Sequence, residues 1–124
     1  MRVPILRQRS FLIASIQSAV SDSDMVQLQD ELPKMVKKTR ASGVVVDVTA
    51  LDVMDSFASR SLRAIAHMVK LCGAETVIVG IQPEVAFAMV QLGMTLQGIA
   101  TALDLDEGLE FLECRTRGGP KDGL

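Results

Sequence analysis

The segment that most constrains the fold of this chain is residues 44–48, where four valines surround one aspartate. A run of β-branched residues without polar alternation is typical of a strand that other elements cover on both faces. Ser42 and Gly43 precede the run, an acidic loop follows it, and Ser56 stands where the next helical pattern begins. The sequence therefore predicts a central parallel strand that leads through a loop into a helix.

Helical and extended segments alternate along the rest of the chain. Apolar runs predict strands at residues 3–6, 11–16, 44–48, 76–79 and 99–103, the first two forming a hairpin. Four helices are predicted between them: one capped by Asp22 or Asp24, one after Ser56, one opening at Pro83 and one opening at Asp104. This order predicts an α/β fold with a mixed, mostly parallel sheet of about five strands and about four helices.

Helical spacing also predicts which side chains these helices bury. The predicted inward faces are Val26, Leu28, Leu32, Met35 and Val36 in the first helix, Ala58, Leu62, Ile65 and Val69 in the second, Val85, Met89 and Leu92 in the third, and Leu105, Leu109 and Leu112 in the fourth.

The composition excludes several classes of function. Thirteen basic residues face fifteen acidic ones, and there is no Trp or Tyr, so neither the basic surplus nor the aromatic platforms of a nucleic-acid binder are present. Cys72 and Cys114 predict reduced thiols in the cytoplasm rather than a disulfide. No signal peptide is indicated, and the uncharged stretch 85–103 contains polar residues and glycines, which favours a buried helix and strand over a membrane span.

No catalytic or metal site is predicted. The single histidine, His67, has no base or ligand partner by spacing, and we interpret it as a surface residue. Asp47, Asp52 and Asp55 offer oxygen ligands for a hard cation, but their spacing favours structural loop acids. The sequence therefore gives no reason to expect a cofactor.

Ser56 is the candidate functional residue. A serine after Asp55 at a helix start can be a structural N-cap, or its hydroxyl can be phosphorylated next to the positive end of the helix. Ser59 is a rival one turn further on, where we expect less accessibility. On the same helix Arg60, Arg63, His67 and Lys70 form a basic stripe, either a solvated face or a docking face for an acidic partner.

With these residues in view, the chain resembles STAS-domain anti-sigma-factor antagonists, and among them the RsbS-type scaffold of the stressosome. The resemblance rests on three stretches: residues 45–49 with 55–57, residues 80–86 with 92–93, and residues 101–109. It covers about residues 3–113 and implies a single STAS domain over residues 1–114, while the glycine, proline and charged residues of 115–124 predict a mobile tail. It also places the phosphorylated serine at Ser56, whereas Ala88 stands where some relatives carry a second phosphorylatable threonine.

The resemblance further implies a non-enzymatic partner switch in the cytoplasm. Its expected partners are a sensor STAS paralogue of the RsbR type, a serine/threonine kinase of the RsbT type that modifies Ser56, and a serine phosphatase. The expected assembly is a homodimer or a larger mixed particle, with Asp55 and the basic stripe as partner-binding residues. The alternatives are an anti-anti-sigma factor that binds an anti-sigma kinase directly, a small-molecule or nucleotide-binding domain, and an enzyme.

Overall fold

A computed structural model of the chain describes residues 3–96 and 98–116. In chain order the elements are β1 (Ile5–Gln8), β2 (Phe11–Ser15), α1 (Asp22–Thr39), β3 (Gly43–Asp47), α2 (Ser56–Leu71), β4 (Glu75–Val79), α3 (Pro83–Gln91), β5 (Ala100–Ala102) and α4 (Leu105–Thr116). The predicted α/β fold with five strands and four helices is confirmed. Helix α4 includes Arg115 and Thr116, and the rest of the predicted tail lies outside the described residues.

The five strands form one sheet in the order β1-β2-β3-β4-β5. β1 and β2 pair antiparallel as the predicted hairpin, and all the other neighbours are parallel. Parallel neighbours need crossover connections, and α1, α2 and α3 supply them. The carboxyl ends of β3, β4 and β5 consequently meet at one edge, where the loops that precede α2, α3 and α4 begin.

Strand β3 is covered on both faces, as its valines predict. Val44 and Val46 belong to the larger core, which includes Leu28 of α1 and Ile65 of α2. Val45 points to the opposite face and packs with Leu112 of α4 in a second core. The sheet is therefore the middle layer, with α1, α2 and α3 on one side and α4 on the other.

Two side chains predicted to be buried are exposed. Val26 is 54% exposed because the inward row of α1 is Met25, Leu28, Leu32 and Val36, and Val26 lies one position out of phase with it. Leu92 is 72% exposed because α3 ends at Gln91, and the backbone N–H of Met94 then bonds to the carbonyl of Met89 as the chain turns.

The N-cap predicted for α1, Asp22 or Asp24, is also wrong. α1 is capped by Ser21, whose hydroxyl accepts a hydrogen bond from the Asp24 N–H, while the Asp24 carboxylate accepts one from the Ser21 N–H. This reciprocal pair is a capping box that begins one residue before Asp22.

Candidate functional site

The loop between β3 and α2 is held in place by hydrogen bonds at its first residues. The carboxylate of Asp47 accepts hydrogen bonds from the backbone N–H of Thr49, at 2.9 Å, and from its hydroxyl, at 2.6 Å. The side-chain amide of Gln82 donates to the Thr49 carbonyl at 2.7 Å. Because Gln82 directly precedes α3, this bond joins the loops that lead into α2 and α3.

Gly80 lets these two loops approach each other closely. Its φ of +82° lies in the left-handed region that glycine tolerates best. A Cβ built at this position would lie 2.0 Å from the Thr49 hydroxyl oxygen. Only glycine therefore fits at position 80 while Thr49 keeps its place. Gly80 and Gln82 lie in one of the three stretches that resemble the STAS antagonists, but the sequence alone predicts no role for either residue.

The far end of the loop is held by an apolar contact. Met54 is 3% exposed and belongs to the larger core, whereas its neighbour Val53 is 73% exposed. Asp52 and Asp55 are also exposed. The loop is thus anchored at Thr49 and Met54, and it presents a mixed acidic and apolar surface at the carboxyl edge of the sheet.

Helix α2 starts with Ser56, but the N-cap is Asp55. The Asp55 backbone is extended, and its carboxylate oxygen Oδ1 accepts a hydrogen bond from the Ala58 N–H at 2.8 Å. The interpretation of Ser56 as the N-cap is therefore wrong by one position. A carboxylate at position 55 has the reach that capping requires, and as a charged group it gains more than a hydroxyl from the positive helix end.

This arrangement leaves the Ser56 side chain available. Ser56 is exposed, and its hydroxyl makes no hydrogen bond to any residue in 3–96 or 98–116. The rival Ser59 is only 2% exposed, and Ser61 is equally buried. Of the three serines in the first two turns of α2, Ser56 alone has an accessible side chain.

The basic stripe lies on the exposed face of α2. Arg60, Arg63, His67 and Lys70 are all exposed, and all four line a groove of about 790 Å³ that extends toward α4. The structure therefore groups these four residues as predicted, while Asp55 serves the helix cap. Contact with a partner stays a prediction for all five.

Two of the three loop acids, Asp47 and Asp55, have structural roles. Asp47 accepts the two hydrogen bonds from Thr49, and Asp55 caps α2. Within the two described ranges, no group of three or more His, Cys, Asp or Glu side chains is arranged to hold a metal ion. None of the helices in these ranges has both the length and the apolar character needed to cross a bilayer. Cys72 and Cys114 are free and exposed.

Comparison with known proteins identifies a family that matches most of the chain. The STAS domain family matches the chain over residues 2–107. The chain is 30% identical over 84 residues to the RsbT co-antagonist protein RsbRA of Bacillus subtilis (strain 168), which covers 68% of this chain but only 31% of the relative. The chain thus spans less than a third of the length of that curated relative.

Two solved structures are similar over nearly the whole chain. RsbS of Moorella thermoacetica, in a serine-to-glutamate variant, has a TM-score of 0.81 at 35% identity and covers 95% of this chain and 100% of its own. A chain of the stressosome, described as a signal integration and transduction hub, has a TM-score of 0.79 at 35% identity, with 93% and 100% covered. The anti-sigma factor antagonist SpoIIAA, at 12% identity and a TM-score of 0.67, shares the fold.

Proposed function

This chain belongs to the STAS domain family, and we propose that it is a non-enzymatic partner switch of the stressosome-scaffold type. In this proposal the unmodified protein holds a serine/threonine kinase of the RsbT type. The kinase phosphorylates Ser56 and is then released, and a serine phosphatase restores the hydroxyl. The observation that carries the proposal is the exposed Ser56 hydroxyl, which the Asp55 cap leaves unused.

A phosphate on Ser56 would change binding more than folding. It adds about 1.5–2 negative charges at neutral pH. The positive end of α2 favours such a charge by about 0.3–1 kcal/mol, whereas Asp52 and Asp55 nearby oppose it. These effects offset each other within the domain. A partner docked on the loop would instead meet a new, strongly hydrated dianion in its interface, and its affinity would fall.

The proposed co-assembly partner is a sensor STAS paralogue of the RsbR type. Its support is the similarity to an RsbT co-antagonist and to a stressosome chain. The exposed apolar side chains Phe87 and Val90 of α3, together with Val53 of the loop, are surface that such an assembly would cover. We expect a homodimer or larger species alone, and a much larger particle once the paralogue is added.

Light scattering tests the assembly. A mass far above that of a dimer after addition of the paralogue supports the scaffold role. A strictly monomeric chain that no co-encoded STAS protein changes would instead indicate an antagonist that binds an anti-sigma kinase directly.

Calorimetric titration of the kinase into four forms of the protein tests the switch. Unmodified protein and Ser56→Ala should bind it equally, whereas phosphorylated protein should bind at least about tenfold more weakly. Ser56→Asp should fall between them, because one carboxylate carries less charge than a phosphate. Equal affinity in all four forms would contradict the proposed switch.

A further inference from the structure

A groove of about 790 Å³ lies between α2 and α4, over Glu75 and Thr76 at the start of β4 and residues 98–100 at the start of β5. The walls come from both helices. They consist of Arg60, Arg63, His67 and Lys70 on α2 and of Phe111 and Arg115 on α4. Between the walls lies Ala100 of β5, the last strand in the sheet order. The outer edge of β5 has no strand partner among the described residues, so its backbone groups on that side are available for pairing.

The groove is basic although the whole chain has a net charge of -2. Its single carboxylate, on Glu75, pairs with Lys70 at 2.5 Å and lies 3.9 Å from the guanidinium of Arg115. Arg60 and Arg63 form no ion pair with any residue in 3–96 or 98–116. The excess positive charge on the α2 wall therefore suits an acidic ligand.

The groove also has unmet hydrogen-bonding capacity. β5 pairs with β4 only from Val77 onward, so Glu75 and Thr76 extend beyond its first residue. Thr76 is 8% exposed, and its hydroxyl has no hydrogen-bond partner in the described parts of the chain. A buried hydroxyl without a partner lowers stability, and its presence in a native domain calls for an explanation.

We propose that this groove binds an acidic, extended segment of a partner protein, which adds to β5 as a sixth strand. Side chains of an added strand alternate between the two faces of the sheet. Acidic residues at alternate positions then face Arg60 and Arg63 on α2, and apolar residues between them face Phe111 on α4. Backbone pairing with β5 provides affinity, and the alternating pattern provides specificity.

Neither residues 117–124 nor α4 offers this segment. Residues 117–124 contain Arg117 and Lys121 against the single acid Asp122, so they do not complement a basic groove. The acidic side chains on α4, such as Glu107 and Glu110, belong to a helix and cannot pair with a strand edge in a second copy. The inference rests on the proposed function only in assigning the segment to a protein partner of the switch.

The test uses the unphosphorylated chain labelled with nitrogen-15, and a synthetic peptide of about eight alternating glutamate and valine residues. We expect amide shifts at Ala100–Ala102 and along the Arg60 face of α2. A matched peptide with lysine in place of glutamate should bind at least about tenfold more weakly, as should the Arg60→Glu/Arg63→Glu variant. The control Arg7→Glu, on β1 at the opposite edge of the sheet, should change affinity less than about twofold.

Salt provides a second measurement that needs no variant. Raising the ionic strength to about 0.5 M should weaken binding of the acidic peptide to the wild-type chain, because exposed charges are screened. Three results would overturn the proposal: no binding at millimolar peptide, shifts confined to α3, or concentration-dependent shifts in the groove without peptide, which would indicate a second copy. The peptide experiment involves neither the kinase nor a modified Ser56. A failure of the groove proposal can therefore be distinguished from a failure of the proposed switch.

Discussion

Helices α1 and α2 both begin at a serine next to an aspartate, but the order is reversed and the consequence differs. At α1 the serine comes first: the Ser21 hydroxyl accepts from the Asp24 N–H at 3.2 Å and donates to the Asp24 carboxylate at 2.9 Å. At α2 the aspartate comes first, and Asp55 caps the helix while the Ser56 hydroxyl stays unbonded to described residues. A capping serine is committed to the helix, whereas a serine that follows a capping aspartate is available for modification.

The two helix starts also differ in what surrounds them. At the α1 cap, the hydrogen bonds of the Ser21 N–H and hydroxyl join it to Ser23 and Asp24. The loop before α2 instead depends on contacts with the neighbouring loop, through Gln82 and through the close approach of Gly80 to Thr49. The loop before Ser56 is thus held by contacts between residues that are more than thirty positions apart in the sequence.

The largest expected effect comes from disturbing those contacts. Gly80→Ala should lower the free energy of unfolding by about 2–4 kcal/mol, because it combines left-handed backbone strain with a clash against Thr49. Gly73→Ala is the matched control: its φ is +95°, but nothing lies within 4 Å of the added Cβ, so strain alone should cost about 1–2 kcal/mol. Urea denaturation measures both. Equal losses would mean that the loop contact contributes nothing.

The next effect separates the cap from the candidate phosphosite. Asp55→Ala should destabilise the domain by about 0.5–2 kcal/mol, because the Ala58 N–H loses its acceptor. Ser56→Ala should change stability by less than about 0.5 kcal/mol, since its exposed side chain makes no contact that folding needs. The same denaturation experiment decides. If Ser56→Ala lowered the free energy of unfolding as much as Asp55→Ala, the assignment of the α2 cap to Asp55 would be wrong.

The sequence was sufficient for the order of elements and for the two-sided burial of β3, because both depend on local patterns such as the valine run. It failed where a one-residue phase matters. Val26 lies one position out of phase with the buried row of α1. The cap of α1 is Ser21 and not Asp22 or Asp24, and the cap of α2 is Asp55 and not Ser56, since nearby residues of similar propensity compete and tertiary packing decides between them. The groove beside β5 was beyond sequence reasoning, because it joins residues of α2 and α4 that are about fifty positions apart.

The smallest expected effect is on the acid stability of the α1 cap. Hydrogen bonds to the Asp24 carboxylate, the strongest of them from the Ser21 backbone N–H, lower the pKa of Asp24 from 3.8 to about 2. A pKa that is lower in the folded state stabilises the fold above pH 3.8, and this contribution is lost as the pH falls toward 2. Asp24→Asn should therefore flatten the stability profile in that window. An NMR titration that gives Asp24 a pKa near its ordinary value of 3.8 would contradict this prediction.

The central claim is that Ser56, and not a capping or buried serine, is the phosphorylated residue. Mass spectrometry after incubation with an RsbT-type kinase from the same genome neighbourhood tests it directly. Wild type and Ser21→Ala should carry one phosphate, on Ser56, and Ser56→Ala should carry none. A phosphate on Ser59 or Ser21 of the wild type, or full modification of Ser56→Ala, would contradict the account.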